Sequence, residues 1–468
     1  MALSFEDFKR VWKDSGENQS DIMIDVAWRR YQQVQADDYV MQREQDDPTL
    51  EDLEAAFEPI LQSGHMTCKY KFMTLPASNI PWTPTGIFVQ SDQAVSIFST
   101  GRTWRSKLLD LYLPPRFNLW FRIGVNGSIF NSTHDTKTFM SMDDQEGQEL
   151  FVANQFPGSF SDKEGGRVGG NLSVYEKAEG AFQILIIVWE PGLSIHVDIR
   201  NAFQRLLRPA DEATPIYDPF GLMSTGMDRL SSKYIIEEAP RGWTLLWFLG
   251  QSQIFYQEQD PVTAEDRSAK HELESVPESA DMDAELLLPD PSCTFPMIRC
   301  IPSHNVGILQ KDISPSLVLT PHTTTTWSWQ MIDLPSRLRE DTTISHDYFS
   351  LAFEFENGRD LTYTWSWELP VGFGYWCPLA AWCDREYHIV LRSGTEQLGQ
   401  WVSEQRNIYQ DYVEYVNGGD LSKVVPTQVV KVWLIAGNRW QRYRGEMLIK
   451  KVRLWDASIE GVEPLVLL

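Results

Sequence analysis

The chain has 468 residues, 42% hydrophobic and 23% charged, with 18 Trp, 16 Tyr and 23 Phe. That length suits about three domains of roughly 150 residues, and so many rings suit sandwich cores or sites for sugars and planar ligands. The formal net charge of -24 repels phosphate backbones and anionic lipid heads, so nucleic acid and membrane surface are not expected as partners.

The opening, MALSFEDFKRVWKDSG, carries charges where a secretion signal needs an apolar core of about 7–15 residues. The longest apolar runs, such as ILIIVW at 184–189, fall well short of the ~20 residues that span a bilayer. The cysteines are Cys68, Cys293, Cys300, Cys377 and Cys383, an odd set without a regular framework. A reducing, cytoplasmic setting is expected.

Residues 1–64 carry helical spacing. Phe5, Phe8, Val11 and Trp12 share one stripe, and Ile24, Ala27, Trp28, Tyr31 and Val34 another. Thr49-x-x-Asp52 opens a third run, Leu50, Leu53, Phe57 and Leu61, as a capping box would, and Gly64 is placed to end it. Two or three helices docked on the next domain are expected.

From residue 65 to 257 short apolar runs alternate with Gly, Pro, Asn and Asp, clearest at 85–101, 117–130, 148–158 and 180–192. No long helices intervene, which favours an antiparallel β-sandwich over a parallel α/β sheet. One helix is predicted at 199–213, then a strand at 242–257. Residues 258–290 hold eleven acidic side chains against Arg267 and Lys270, with no aromatic residue. Such a segment buries too little apolar surface to offset its ordering entropy. The stretch 258–295 is therefore expected to be a linker, or else an acidic partner-binding segment.

A second sandwich is expected over 296–468, with strands at 323–335, 346–370, 385–394, 429–437 and 448–457 and a helix at 403–416. Asn357-Gly358 between two alternating runs signals a hairpin. Its Phe353, Phe355, Tyr363, Trp365 and Trp367 fall on one face, and Glu354, Glu356, Thr364 and Ser366 on the other. The fold class is thus mainly β: two antiparallel, jelly-roll-like sandwiches behind a short helical segment.

The second half resembles an uncharacterised bacterial domain-of-unknown-function family with a jelly-roll, carbohydrate-module-like sandwich. HDYFSLAFEFENGRDLTYTWSWELP, IVLRSGTEQLGQWVSEQRNIYQDY and VVKVWLIAGNRW carry the resemblance, over about 310–456. That family shows an Asp-rich turn where this chain has Ala436-Gly437-Asn438-Arg439-Trp440, so no role of those acids carries over. Residues 82–190 are similar to calcium-dependent galactose-binding lectins of the LecA type. The lectin loop reads here as Asn154-Gln155-Phe156-Pro157-Gly158-Ser159, followed by Asp162-Lys163. Calcium wants six to eight oxygen ligands, carboxylates among them. With Gln155 in place of the key acid and Lys163 nearby, the loop Asn154, Gln155, Ser159 and Asp162 is expected to have lost its metal.

The best chemical cluster is Asp384, Glu386, His388 and Arg392, on one strand face by the period of two. It could do general acid–base work, joined by His346, or it could be a solvated polar face. His346-Asp347 alone suits a turn cap. Trp327/Trp329 and Trp365/Trp367 suit core better than a stacking platform, whereas Trp376, Trp382, Trp401 and Trp440 sit in or near loops and could bind a ligand. Cys377-x5-Cys383 does not have the spacing of a zinc site, and Asn407 and Asp411 suit surface or interdomain contacts. There is no P-loop, no Gly-x-Ser-x-Gly elbow and no His-Glu-x-x-His, and GRVGGN at 166–171 follows no strand. No cofactor is expected.

Three functions stay open: binding of a carbohydrate or other small polar or aromatic ligand by loops and cleft; a motif-less cyclase, isomerase or hydrolase using the interdomain cleft; or an assembly protein. Fold alone does not choose among them.

Overall fold

A computed structural model describes residues 2–15, 20–36, 48–62, 68–79, 82–132, 135–140, 147–155, 159–167, 175, 178–207, 222, 239–247, 249, 254–261, 294–302, 304–379, 381–459, 461 and 463–468. Gly64, residues 168–171 of the Gly-rich loop, the end of the helix predicted at 199–213 and acidic residues 262–293 lie outside them. No helix among the described residues is long and apolar enough to cross a membrane.

Three helices open the chain: Phe5–Asp14 (α1), Asp21–Gln35 (α2) and Leu50–Leu61 (α3). Ser4 and Ser20 cap the first two, accepting from the N–H of Asp7 and Met23. The capping box of α3 is reciprocal: Asp52 N–H donates to Thr49 Oγ1 at 3.2 Å, and Thr49 N–H to Asp52 Oδ2 at 2.8 Å. Phe8 and Trp12 are buried, whereas Val11 of the same expected stripe is 40% exposed.

The first sandwich has a five-stranded sheet in the order Cys68–Pro76 (β1), Glu179–Trp189 (β9), Ala94–Ser106 (β3) and Leu111–Leu113 (β4), with Thr136–Met140 (β7) beside β3. Facing it are Thr83–Val89 (β2), Gln148–Asn154 (β8), Leu119–Ile123 (β5) and Phe130–Asn131 (β6). Strand β9 is apolar on both faces for a reason. Phe182, Ile184, Ile186 and Val188 fill the sandwich, while Leu185, Ile187 and Trp189 lie under Leu53, Ala56 and Phe57 of α3. Burial on both faces removes the polar alternation of a half-wet strand.

The second sandwich has a seven-stranded sheet in the order Thr244–Leu245 (β10), Val306–Val318 (β13), Gln428–Gly437 (β20), Tyr348–Phe355 (β15), Asp360–Ser366 (β16), Glu386–Ser393 (β18) and Gly374–Trp376 (β17). Its other sheet runs Phe255–Pro261 (β11), Thr294–Cys300 (β12), Glu446–Asp456 (β21), Thr323–Asp333 (β14) and Trp401–Asn407 (β19), with Leu465–Val466 (β22) beside β21. The hairpin at Asn357-Gly358 forms, with Gly358 at φ +76°. Aromatic rows from the two sheets interlock: Trp327 lies 5.3 Å from Tyr363 and Trp329 6.0 Å from Trp365, ring centre to ring centre. These are core residues, as the alternation implies. Among the described residues all ladders are antiparallel except β16–β18, which is parallel.

Several expectations need correction. The run 242–257 is two strands, because β10 pairs with β13 whereas β11 pairs with β12 in the opposite sheet. The pairing thus assigns 244–261 to the second sandwich, and Glu258–Pro261 and Thr294–Phe295 are strand rather than linker. Arg299 stands 3.4 Å from Glu258 and 2.9 Å from Glu446, which relieves the acidity of that ladder. The stretch 403–416 begins as β19 on β14 and turns helical only at Ile408. Asp411 is buried within this sandwich, accepting from Tyr363 Oη at 2.6 Å and Arg406 Nε at 2.9 Å.

The outer face of the seven-stranded sheet packs on the first sandwich. Trp120, Ala153 and Phe160 meet Ile308, Tyr348, Ala352, Trp433 and Ile435 there. Helices α1 and α2 close the junction, with Phe8, Trp12 and Tyr31 among Leu109, Phe117, Leu338 and Trp440. The face that alternation leaves polar is therefore covered rather than wet.

Candidate functional site

Side-chain alternation on β18 puts Ile389 and Leu391 in the core and Glu386 and His388 on the outer face. The parallel ladder sets Asp360 beside Glu386 and Thr362 beside His388. On the other side Tyr375 pairs with His388, and Cys377 N–H donates to Glu386 O at 2.9 Å. His346 arrives from the turn before β15. The ligating atoms of His346, Cys377, Glu386 and His388 all lie within 4.8 Å of one another, and all four residues are buried.

His346 Nδ1 faces the Glu340 carbonyl at 2.7 Å, and a carbonyl only accepts, so Nδ1 carries the proton. Nε2 is then a lone pair 3.4 Å from Cys377 Sγ. Tyr348 Oη donates to Glu386 Oε1 at 2.8 Å. Thr362 Oγ1 donates to Asp360 Oδ1 at 2.9 Å and lies 3.5 Å from Glu386 Oε1. The His388 ring is stacked on Tyr375, centres 4.8 Å apart and planes 7° apart. His388 Nε2 stands 3.4 Å from Glu386 Oε1, but neither ring nitrogen makes a hydrogen bond among the described residues.

Burial, and then His388, push His346 down to about 3, so its imidazole is neutral. Burial raises the Cys377 thiol and the Tyr348 and Tyr375 phenols. Burial, and then the Glu386 charge, raise Asp360 well above the carboxylate range. Burial also pushes on Glu386, but the adjoining His388 and His346 outweigh it and hold that carboxyl below its ordinary value. One of two neighbouring acids thus keeps its proton and the other its charge.

Of the residues picked from sequence, His346, Glu386 and His388 meet. Asp384 is exposed on the preceding turn. Arg392 is diverted by an irregularity in the β16–β18 ladder after Val390, and its Nε donates to Glu404 Oε1 at 2.7 Å. Cys383 is exposed and stays out of the cluster. Asp347 is the predicted cap: Oδ1 accepts from Trp440 N–H at 2.9 Å and Oδ2 from Gln441 N–H at 2.6 Å. Trp440 is itself 2% exposed in the helix junction. Trp401 is 38% exposed on the other sheet under Lys450, and Trp376 packs edge-on against Tyr387. In the lectin-like loop Asn154 Nδ2 bonds Ala77 O, Arg167 donates to Gln155 Oε1 at 2.9 Å and Gly166 N–H to Asp162 Oδ1 at 2.7 Å; Ser159 is half-buried.

Of the four loop tryptophans, Trp382 borders a cavity on the covered face of the seven-stranded sheet. A recess of about 60 Å3 is lined by His346, Tyr348, Asp360, Trp382, Glu386 and Arg439, among others. A wider cleft of about 290 Å3 shares Trp382 and Trp433 with it and adds Phe160, Trp247, Glu354, Arg385 and Lys431. Cys377, Tyr348, Asp360 and Arg439 were not picked from sequence as site residues. The only signal for Asp360 and Tyr348 was their place on the polar side of the hairpin.

The fold and site define a two-sandwich β protein with a buried polar cluster on the outer face of its seven-stranded sheet. Residues 294–442 match the model of a family described as a protein of unknown function (DUF3047), which bears out the resemblance of the second half. No curated protein matches the chain at a significant level. Among solved structures, the xyloglucanase domain of NopAA, a type three effector from Sinorhizobium fredii, is similar at 6% identity and TM-score 0.21, over 34% of this chain and 82% of that one. A family 11 carbohydrate-binding module from Clostridium thermocellum follows at 8% and 0.21, over 47% and 92%. The tandem CBM22 domains of Paenibacillus barcinonensis Xyn10C stand at 10% and 0.20, over 84% and 92%. Likenesses of this size carry no argument about function.

Proposed function

We propose that the cleft between the two sandwiches binds a carbohydrate or another small polar ligand of similar size. One observation carries this: Trp247, Trp382 and Trp433 border the same cleft as Glu354, Arg385 and Lys431. Indole faces stack on the apolar faces of sugar rings, and charged groups at the rim bond their hydroxyls. The rim is held in place, since Trp433 Nε1 donates to Glu354 Oε2 at 3.0 Å and the Arg385 guanidinium lies 5.1 Å from the Trp382 ring centre. A fluorescence titration of the full chain against a panel of neutral oligosaccharides tests the proposal. A saturable change in tryptophan emission with at least one of them is expected, and no response across the panel overturns it.

A second reading, an enzyme in the same cleft, is favoured by the two carboxyls of Asp360 and Glu386 on the wall of the inner recess, where acid–base work on a bound ligand is geometrically open. Loss of turnover with unchanged binding in Asp360→Asn would separate it from binding alone.

A further inference from the structure

We infer that His346, Cys377, Glu386 and His388 form a binding site for one divalent ion with the chemistry of zinc.

The donor set comes first. Two imidazoles, a thiol and a carboxylate suit a borderline ion, not calcium or magnesium, which take oxygen shells. Around a tetrahedral zinc, neighbouring ligand atoms are about 3.4–3.6 Å apart, from bonds of about 2.0–2.3 Å. Here Cys377 Sγ to His346 Nε2 is 3.4 Å and His388 Nε2 to Glu386 Oε1 is 3.4 Å. No pair of donors exceeds 4.8 Å, so side-chain adjustments of an ångström or so bring all four onto one centre.

The second observation is His388. Its ring is 0% exposed, and both nitrogens lack a hydrogen bond among the described residues. A buried polar atom without a partner is uncommon and asks for one. Tyr375, Tyr348 and His346 enclose the ring at centroid distances of 4.8, 4.9 and 5.1 Å, so the ring is held where it is. A metal takes the lone pair that no protein donor reaches.

The outer contacts are those that ligands need. Glu340 O accepts the Nδ1 proton of His346 and aims its Nε2 at Cys377. Tyr348 Oη donates to Glu386. Such partners fix the tautomer and direction of metal ligands. The positions are also rigid: Glu386 and His388 alternate on one strand, and Cys377 follows the strand that pairs with it. The competing account is a thiol-to-imidazole hydrogen bond in an ordinary core. It accounts for Cys377 and His346 and leaves both ring nitrogens of His388 without a hydrogen bond among the described residues, with Nε2 at 3.4 Å from Glu386 Oε1.

The inference stands apart from the ligand proposed for the cleft, and either can fail without the other. The full chain is stripped of metal by a chelator, then titrated with zinc followed by mass-spectrometric metal analysis, and separately with cobalt followed by absorbance. Wild type and Cys383→Ser, which removes the exposed thiol outside the cluster, are expected to hold about one zinc per chain and to show a thiolate-to-cobalt charge-transfer band. In Cys377→Ser the band disappears, and in His388→Gln zinc affinity falls about 100-fold or more. Zinc raises the melting temperature of wild type and not that of His388→Gln. Near-UV circular dichroism of the metal-free proteins shows whether the variants are folded; if one is not, His346→Gln takes its place. A wild-type chain that holds no stoichiometric zinc, or a cobalt band that survives in Cys377→Ser, overturns the inference.

Discussion

His346 Nε2 and Cys377 Sγ face each other at 3.4 Å although 31 positions separate them in the chain. The contact lies on the covered face of the seven-stranded sheet, so Cys377 is 1% exposed and burial raises its thiol. Thiolate character and access govern thiol reactivity. An alkylating reagent is therefore expected to modify exposed Cys383 in the folded protein and to reach Cys377 only on unfolding. Mass mapping of the labelled peptides against time checks the order.

Arg442 crosses between the sandwiches to Asp110, with Nη1 donating to the Asp110 carbonyl at 2.8 Å and Nη2 bonded to its carboxylate. Its guanidinium also lies 4.2 Å from the Tyr112 ring centre. Removing one partner strands a charge in a covered interface, which costs about 3–5 kcal/mol. Arg442→Ala is expected to lower unfolding stability by that amount in a denaturant titration.

His304 is 5% exposed and sits among Arg116, Arg102 and Arg442, with Asp135 and Asp110 paired to two of them. Burial first, and then the three guanidiniums, hold its imidazole well below its ordinary value. The unfolded chain binds this proton from about pH 6.5 downward and the folded chain does not. Stability from this group is thus present above about pH 6.5 and lost as pH falls, by up to about 1.4 kcal/mol per pH unit. His304 has φ +48°, which asparagine tolerates. Unfolding free energies between about pH 7 and about pH 5 should fall less steeply in His304→Asn than in wild type.

Gly358 turns the β15–β16 hairpin at φ +76°, and a Cβ there would touch nothing within 4 Å. Only backbone strain opposes a side chain. Gly358→Ala is expected to cost about 1 kcal/mol and Gly358→Asn less, both read from thermal unfolding.

Much of the second sandwich was legible, because Asn357-Gly358 and the rows Phe353, Phe355, Tyr363 and Trp365 state a turn and a buried face in adjacent residues. The face opposite was legible as polar but not as covered, since the Trp120 and Phe160 that cover it belong to the other sandwich. Glu386 and His388 could be paired by the period of two. Cys377 could not, because its place depends on the β17–β18 ladder, and Asp360 depends on the parallel ladder that strand patterns do not reveal. Arg392 failed the same rule because the ladder shifts register after Val390. The acidic stretch misled through charge: β11 keeps Glu258 in a strand with the Arg299 guanidinium of the neighbouring strand 3.4 Å away.

Calorimetric titration of a responding oligosaccharide into wild type, Trp382→Ala and Trp401→Ala tests the cleft most directly. Trp382 borders both the cleft and the recess, whereas Trp401 lies on the opposite sheet. Loss of an aromatic wall should weaken affinity about 30-fold or more in Trp382→Ala and leave Trp401→Ala at the wild-type value. Undiminished affinity in Trp382→Ala, or a loss confined to Trp401→Ala, would place the ligand elsewhere and contradict the account.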